Sequence, residues 1–273
     1  MVDPNQQPPQ EDQSSSSNIG KLAATLGPLG LAALFGIGPR GKNVLRQAVK
    51  FFPEWTQQMH ELPAPGFITA PRTLGDQATV ATVHDKQFYP SMVQALKRHD
   101  PSWEGLPGLH LKVGPDLYEK LMRGKTQGIG TLGHEFVHLG GGLESMSKAA
   151  SSPDVLRHHP RSVYNAGISG SLPDPISHID DLMFALSQLE HFSDIPAMYS
   201  SYRQSDNQMR SLAEVLSEII GRKRALEKFP TTTPGTFQQD WNKGPVSPNE
   251  FTDQIKEMAL RRLSANKPRL GSE

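Results

Sequence analysis

The chain has 273 residues, with 28 Lys+Arg balanced by 28 Asp+Glu and no cysteine. The charge balance offers no basic excess for a nucleic-acid partner. The absence of thiols excludes a disulfide framework and any thiolate metal site, so a bound metal would need His and carboxylate ligands.

Residues 1–18, MVDPNQQPPQEDQSSSSN, are polar and low in complexity. They carry too little apolar surface to offset the entropy of ordering, so a disordered N-terminal tail is expected over 1–20. They also lack the basic start and apolar run of a cleavable signal peptide. Residues 21–59 read as an apolar and amphipathic linker. Its first part, LAATLGPLGLAALFGIG (22–38), is 17 residues long and lies between Lys21 and Arg40. Pro28 and four glycines weaken a helix there, so it reads as a flexible or peripherally packed segment, with membrane association as the alternative. VLRQAVKFFPEW (44–55) has the pattern of a short amphipathic helix ending near Pro53.

A folded domain is expected over 60–265. QATVATVHD (77–85) and GLHLKV (108–113) read as strands, and PDLYEKLMRG (115–124) as a helix with Pro at its start and Gly at its end. A helix over 128–139 is expected to end at Gly140–Gly142, and a Pro-, Ser- and His-rich loop to run through 151–176. Helices then follow over 178–192, over 207–228 capped by Asp206, and over 248–264, opened by the Ser247/Glu250 capping box. Residues 266–273 read as a flexible C-terminus. A few strands before one central helix, and helices after it, give an α+β domain.

The central helix carries His134-Glu135-Phe136-Val137-His138. Histidines at i and i+4 share one helix face, so both imidazoles can reach one ion. Glu135 is rotated from that face by about 100°, placed to act as general base on a water beside the metal. With 10 His in the chain, composition alone yields an HExxH by chance in only about 2% of cases, and its proline-free setting between apolar residues strengthens it. A catalytic zinc site needs a third protein ligand. Glu190 in SQLEHFSDIPAMY is the leading candidate, with Asp194 placed to accept the spare N–H of a ligand histidine. Glu214, Glu144 and His178 are the alternatives. Glu214 and Glu218 fall on the polar side of an apolar stripe (Leu212, Val215, Leu216, Ile219, Ile220), and Glu218 has Arg222 at i+4, which reads as a solvated, salt-bridged face. Glu144 follows at the spacing HExxHxxGxxE.

At HEFVH the sequence resembles the zincin superfamily of zinc metallopeptidases, and with a distal glutamate its gluzincin branch. LEHFSDIPAMYSSYRQSDNQMRSL (189–212) resembles the NleD-like family of bacterial type III effector metalloproteases, with Ser205-Asp206-Asn207-Gln208-Met209-Arg210 matching a Ser/Thr-Glu-Asn-x-x-Arg-like stretch. The resemblance implies a zincin-like fold with a small sheet, a central HExxH helix and a mostly helical C-terminal half. It places Glu190 at the glutamate ligand position and Arg210 near the site. It also implies Zn2+ as cofactor, a protein substrate, and secretion into a host cell, with which the polar N-terminus is compatible.

Tyr199, Tyr202 and Arg203 are candidate donors to an oxyanion, His158 and His159 sit in a basic loop, and Met198 reads as core filling. The basic run GRKRALEK (221–228) reads as a helix C-terminus rather than a nucleic-acid patch. The function these features favour is zinc-dependent peptide-bond hydrolysis, with Zn2+ on His134, His138 and Glu190 and with Glu135 as base. The alternative is a non-enzymatic interaction or membrane-associated protein with a fortuitous HExxH.

Overall fold

The computed structural model describes residues 38–54, 66–69, 77–83, 108–152, 160–189, 191–238 and 248–265. The tail 1–20, most of the apolar run 22–38, His158, His159, Glu190 and Ser247 lie outside them. The described chain is mostly helical with one small sheet, an α+β arrangement. No helix among the described residues is long and apolar enough to cross a membrane.

Helix α1 (Gly38–Phe51) buries Gly41, Val44, Leu45, Ala48 and Phe51, one stripe at helical spacing. Strands β1 (Gly66–Thr69), β2 (Ala78–Val83) and β3 (Gly108–Val113) form a sheet in the order β1-β3-β2. β3 is central, parallel to β1 and antiparallel to β2. Its alternation sends Leu109, Leu111 and Val113 into the core.

Helix α2 (Pro115–Met122) starts on the predicted proline and buries Leu117 and Leu121. It ends in a Schellman motif: Gly124 N–H donates to the Leu121 carbonyl and Lys125 N–H to that of Lys120. Gly124 there has φ +64°, the left-handed conformation that favours glycine.

Helix α3 (Thr126–Ala150) is the central element. Ile129, Leu132, Phe136, Leu139, Leu143 and Met146 recur every three or four residues and form a continuous buried stripe. The three glycines do not end it. Gly141 and Gly142 let neighbours approach: a Cβ on Gly141 would lie 2.5 Å from the Gly170 carbonyl oxygen, and one on Gly142 would collide with Leu109 and the Gly167 carbonyl. Close packing outweighs the low helix propensity of glycine here. Gly167 and Gly170 belong to α4 (Pro160–Gly170), a helix inside the stretch read as a loop.

Helix α5 (Ile179–Ser187) is a shorter form of the helix expected over 178–192, and α6 (Ile195–Ser205) follows in a stretch to which the sequence reading assigns no element. Pro196 lies in the first turn of α6, where its missing N–H costs nothing. Helix α7 (Gln208–Lys228) is capped by Asn207, whose side chain accepts from Arg210 N–H, rather than by Asp206. Helix α8 (Pro248–Ala265) buries Phe251, Ile255 and Met258, and its Gln254 accepts a 2.7 Å bond from Tyr199 Oη.

Candidate metal centre

Helices α3 and α7 touch main chain to main chain. A Cβ on Gly133 would lie 3.0 Å from Gly221 Cα, and one on Gly221 would lie 2.5 Å from His134 N and 2.7 Å from the Gly130 oxygen. The pairing is antiparallel, so the i and i+4 histidines of α3 meet a glutamate pair at the same spacing on α7. His138 faces Glu214 and His134 faces Glu218. Gly221→Ala should therefore lower stability by about 1–3 kcal/mol through forced separation of the helices. Gly140→Ala, where the new Cβ meets nothing, should leave stability equal or raise it by up to about 1 kcal/mol. Denaturant unfolding of the two variants checks the contrast.

The two histidines are 7% and 6% exposed. His134 Nδ1 lies 3.0 Å from Glu218 Oε2, which cannot donate when ionised, so Nδ1 carries the hydrogen. His138 Nδ1 donates to the main-chain oxygen of Ser171, just past α4. Both Nε2 atoms are thereby left as lone-pair donors, and they face each other at 2.9 Å. Glu214 Oε2 completes the triangle, 3.4 Å from His134 Nε2 and 3.2 Å from His138 Nε2. Three acceptors pointed at one another repel unless a cation or a shared proton lies among them. His134, His138 and Glu214 are thus a candidate metal-binding triad. The spacing fits: a tetrahedral ion with nitrogen and oxygen ligands at 2.0–2.1 Å holds its donors about 3.3 Å apart.

The electrostatics carry the same signature. Burial alone would depress the His134 imidazole, but its bonds to Glu214 and Glu218 outweigh it and push its pKa up to about 10. Burial would likewise raise the Glu214 carboxyl, yet the bonds from His134 and His138 hold it far below the usual carboxylate range. A proton on His134 balances the carboxylates when no metal does.

Glu135 is 7% exposed. Burial raises its pKa; His134 and His138 oppose the shift, and Glu214 and Glu218 add to it. It lies within electrostatic reach of every donor without being one of them. Tyr202 on α6 is also coupled to the cluster: burial raises its pKa first, then the charges of Glu214, Glu218 and Glu135. Of the other candidate oxyanion donors, Tyr199 is committed to Gln254, and Arg203 is exposed with Nη1 near the Asp206 carbonyl.

Comparison with protein-family models, with curated proteins and with solved structures finds no match to this chain. The chemistry of the centre therefore rests on its own residues.

Glu190, the leading expected third ligand, lies outside the described residues, among which Glu214 is the carboxylate at the histidines. Several other sequence expectations change. The Glu214/Glu218 side of α7 is not solvated: Glu218 is 6% exposed and its salt bridge to Arg222 is internal. Asp194 accepts from Arg222 rather than from a histidine. Glu144 pairs with Lys148 and His178 lies near Asp181. Both line a cavity of about 720 Å³ between α3, α5 and α7 whose walls include none of His134, His138 and Glu214. Arg210 is over half exposed and pairs with Asp206. Glu218, Arg222 and Ser171 were missed as parts of the site. The signal for the first two was present as acid, acid and base at 214, 218 and 222, the same four-residue step as the histidines.

Proposed function

We propose that the protein is a zinc-dependent metallopeptidase of zincin type, in its gluzincin-like form, with His134, His138 and Glu214 as ligands. The observation that carries the reading is the convergence of two Nε2 lone pairs and a carboxylate oxygen, with both Nδ1 atoms already committed as donors. Two imidazoles and one carboxylate are a donor set used by catalytic zinc, which keeps a further position for chemistry. A fortuitous HExxH gives no reason for Glu214 and Glu218 to meet it.

Zinc, when bound, would polarise the scissile carbonyl and acidify the attacking water. Glu135 would take the proton from that water as its oxygen bonds to the carbonyl carbon. It would return the proton to the departing amine nitrogen as the C–N bond breaks. Burial, which raises its pKa, favours its holding the proton between the two steps. Tyr202, kept protonated by its surroundings, is the candidate donor to the developing oxyanion. Glu218 and the Ser171 carbonyl would hold the two rings in the Nε2-donating tautomer.

Peptide as the substrate, and action on a host protein after type III delivery, rest on the resemblance across HEFVH and 189–212. Metal analysis of the purified full chain tests the centre, with one zinc per chain expected. Removal of that zinc by chelator should abolish cleavage of a denatured protein substrate, and added Zn2+ should restore it. Zinc binding must displace the His134 proton, so apparent affinity should fall about tenfold for each pH unit below about 10, per proton released. A chain purified without bound metal that takes up none would end this reading.

A further inference from the structure

Arg222 lies one turn beyond Glu218 on α7 and is wholly inaccessible to solvent. Its Nε donates to Glu218 Oε1 at 2.8 Å. Its Nη1 and Nη2 donate to the two oxygens of Asp194, at the start of α6, at 2.9 and 2.6 Å. The rings of Phe192 and Phe237 lie 5.1 and 6.0 Å from the guanidinium carbon. Fork, ion pair and aromatic contacts leave this side chain little freedom to reorient.

Such a network is a poor way merely to fill a core. Buried ion triads bear a large desolvation cost, and apolar residues of similar volume often give equal or greater stability. What the network adds is direction. Each oxygen of Glu218 has one partner, Oε1 from Arg222 and Oε2 from His134 Nδ1. With one oxygen held by the guanidinium, the carboxylate cannot turn away from the imidazole without breaking a charged hydrogen bond. The orientation of the His134 ring, and hence of its Nε2, is thereby referred back to Asp194 on a different helix.

We propose that Arg222, anchored by Asp194, is a positioning residue for the metal centre, acting through Glu218 on His134. The inference rests on the metal-site reading above and goes beyond it by assigning a function to a residue that touches no metal donor. Lysine would keep the charge but lose the planar fork that spans two carboxylates.

The test is Zn2+ affinity of the full chain by chelator competition, together with the visible spectrum of the Co2+ form. Arg222→Met should bind Zn2+ about 10–100-fold more weakly, the range for loss of an outer-shell partner, and should shift the Co2+ bands. Arg222→Lys should recover part of the affinity. Asp194→Asn, isosteric and one residue further from the donors, should weaken binding in the same direction by a smaller factor, and it carries the test if Arg222→Met does not fold. Phe251→Leu in α8 is the control for general destabilisation: its melting temperature should fall with the Co2+ spectrum unchanged. Wild-type affinity and spectrum in both Arg222→Lys and Asp194→Asn would overturn the inference while leaving the metal site standing. A wild-type chain that binds neither ion would overturn both.

Discussion

Glu135→Gln should bind zinc like the wild type and hydrolyse its substrate about 10²–10⁴-fold more slowly, the usual span for loss of a general base. The two halves of this expectation have separate causes. Metal retention follows because Glu135 is not among the candidate donors His134, His138 and Glu214, so the substitution would remove no ligand. Glutamine also matches glutamate in volume at a position only 7% exposed, and the α3 packing should persist. The rate falls because an amide cannot accept the water proton. Parallel measurement of metal content and turnover reads both halves. A variant that keeps its zinc and its full rate would remove Glu135 from the mechanism.

Glu214→Ala should lose stoichiometric zinc, whereas Glu190→Ala should keep it. Removing one of three donors should weaken binding by more than the roughly 10–100-fold typical of an outer-shell change. The alanine variant also removes one of the carboxylates that hold a proton on His134, which eases proton competition without replacing the lost donor. Glu218 would remain, still bonded to His134 Nδ1, so the surviving histidine pair would be oriented but under-coordinated. Metal analysis after dialysis against a weak chelator distinguishes the variants. Loss in Glu190→Ala with retention in Glu214→Ala would return the third ligand to position 190.

The difficulty of reading the place of Glu214 from sequence has a physical origin. Leu212, Val215, Leu216 and Ile219 do form a buried stripe on α7, and the remaining face is polar, as the pattern implies. Periodicity separates apolar from polar, but it does not separate water from a polar interior. The polar face of α7 is turned towards the histidines of α3, so Glu218 is buried and Glu214 half-buried against them. Similarly, the glycines at 140–142 look like a helix stop because propensity favours that, while packing against α4 and β3 requires small side chains at 141 and 142. Helix α4 lay hidden in a Pro-, Ser- and His-rich stretch for the converse reason, since contact with α3 supports a helix that composition disfavours. Where local chemistry was decisive, the sequence reading held: β3 at 108–113, the proline start and glycine stop of α2, and the shared face of His134 and His138.

The contact between Gly133 and Gly221 has a further consequence for ion choice. With main chain against main chain at the crossing, no flexible side chain lies between the two ligand-bearing helices to act as a spacer. The width available to an ion is then set by atomic radii in the backbones and changes little with rotamer exchange in the core. A gauge of fixed width suits small ions with short bonds to nitrogen. On the metal-site reading proposed above, calcium, which takes six to eight oxygens at about 2.3–2.6 Å, would have to spread helices that meet backbone to backbone, so the glycine pair would filter ions by size as well as pack the helices.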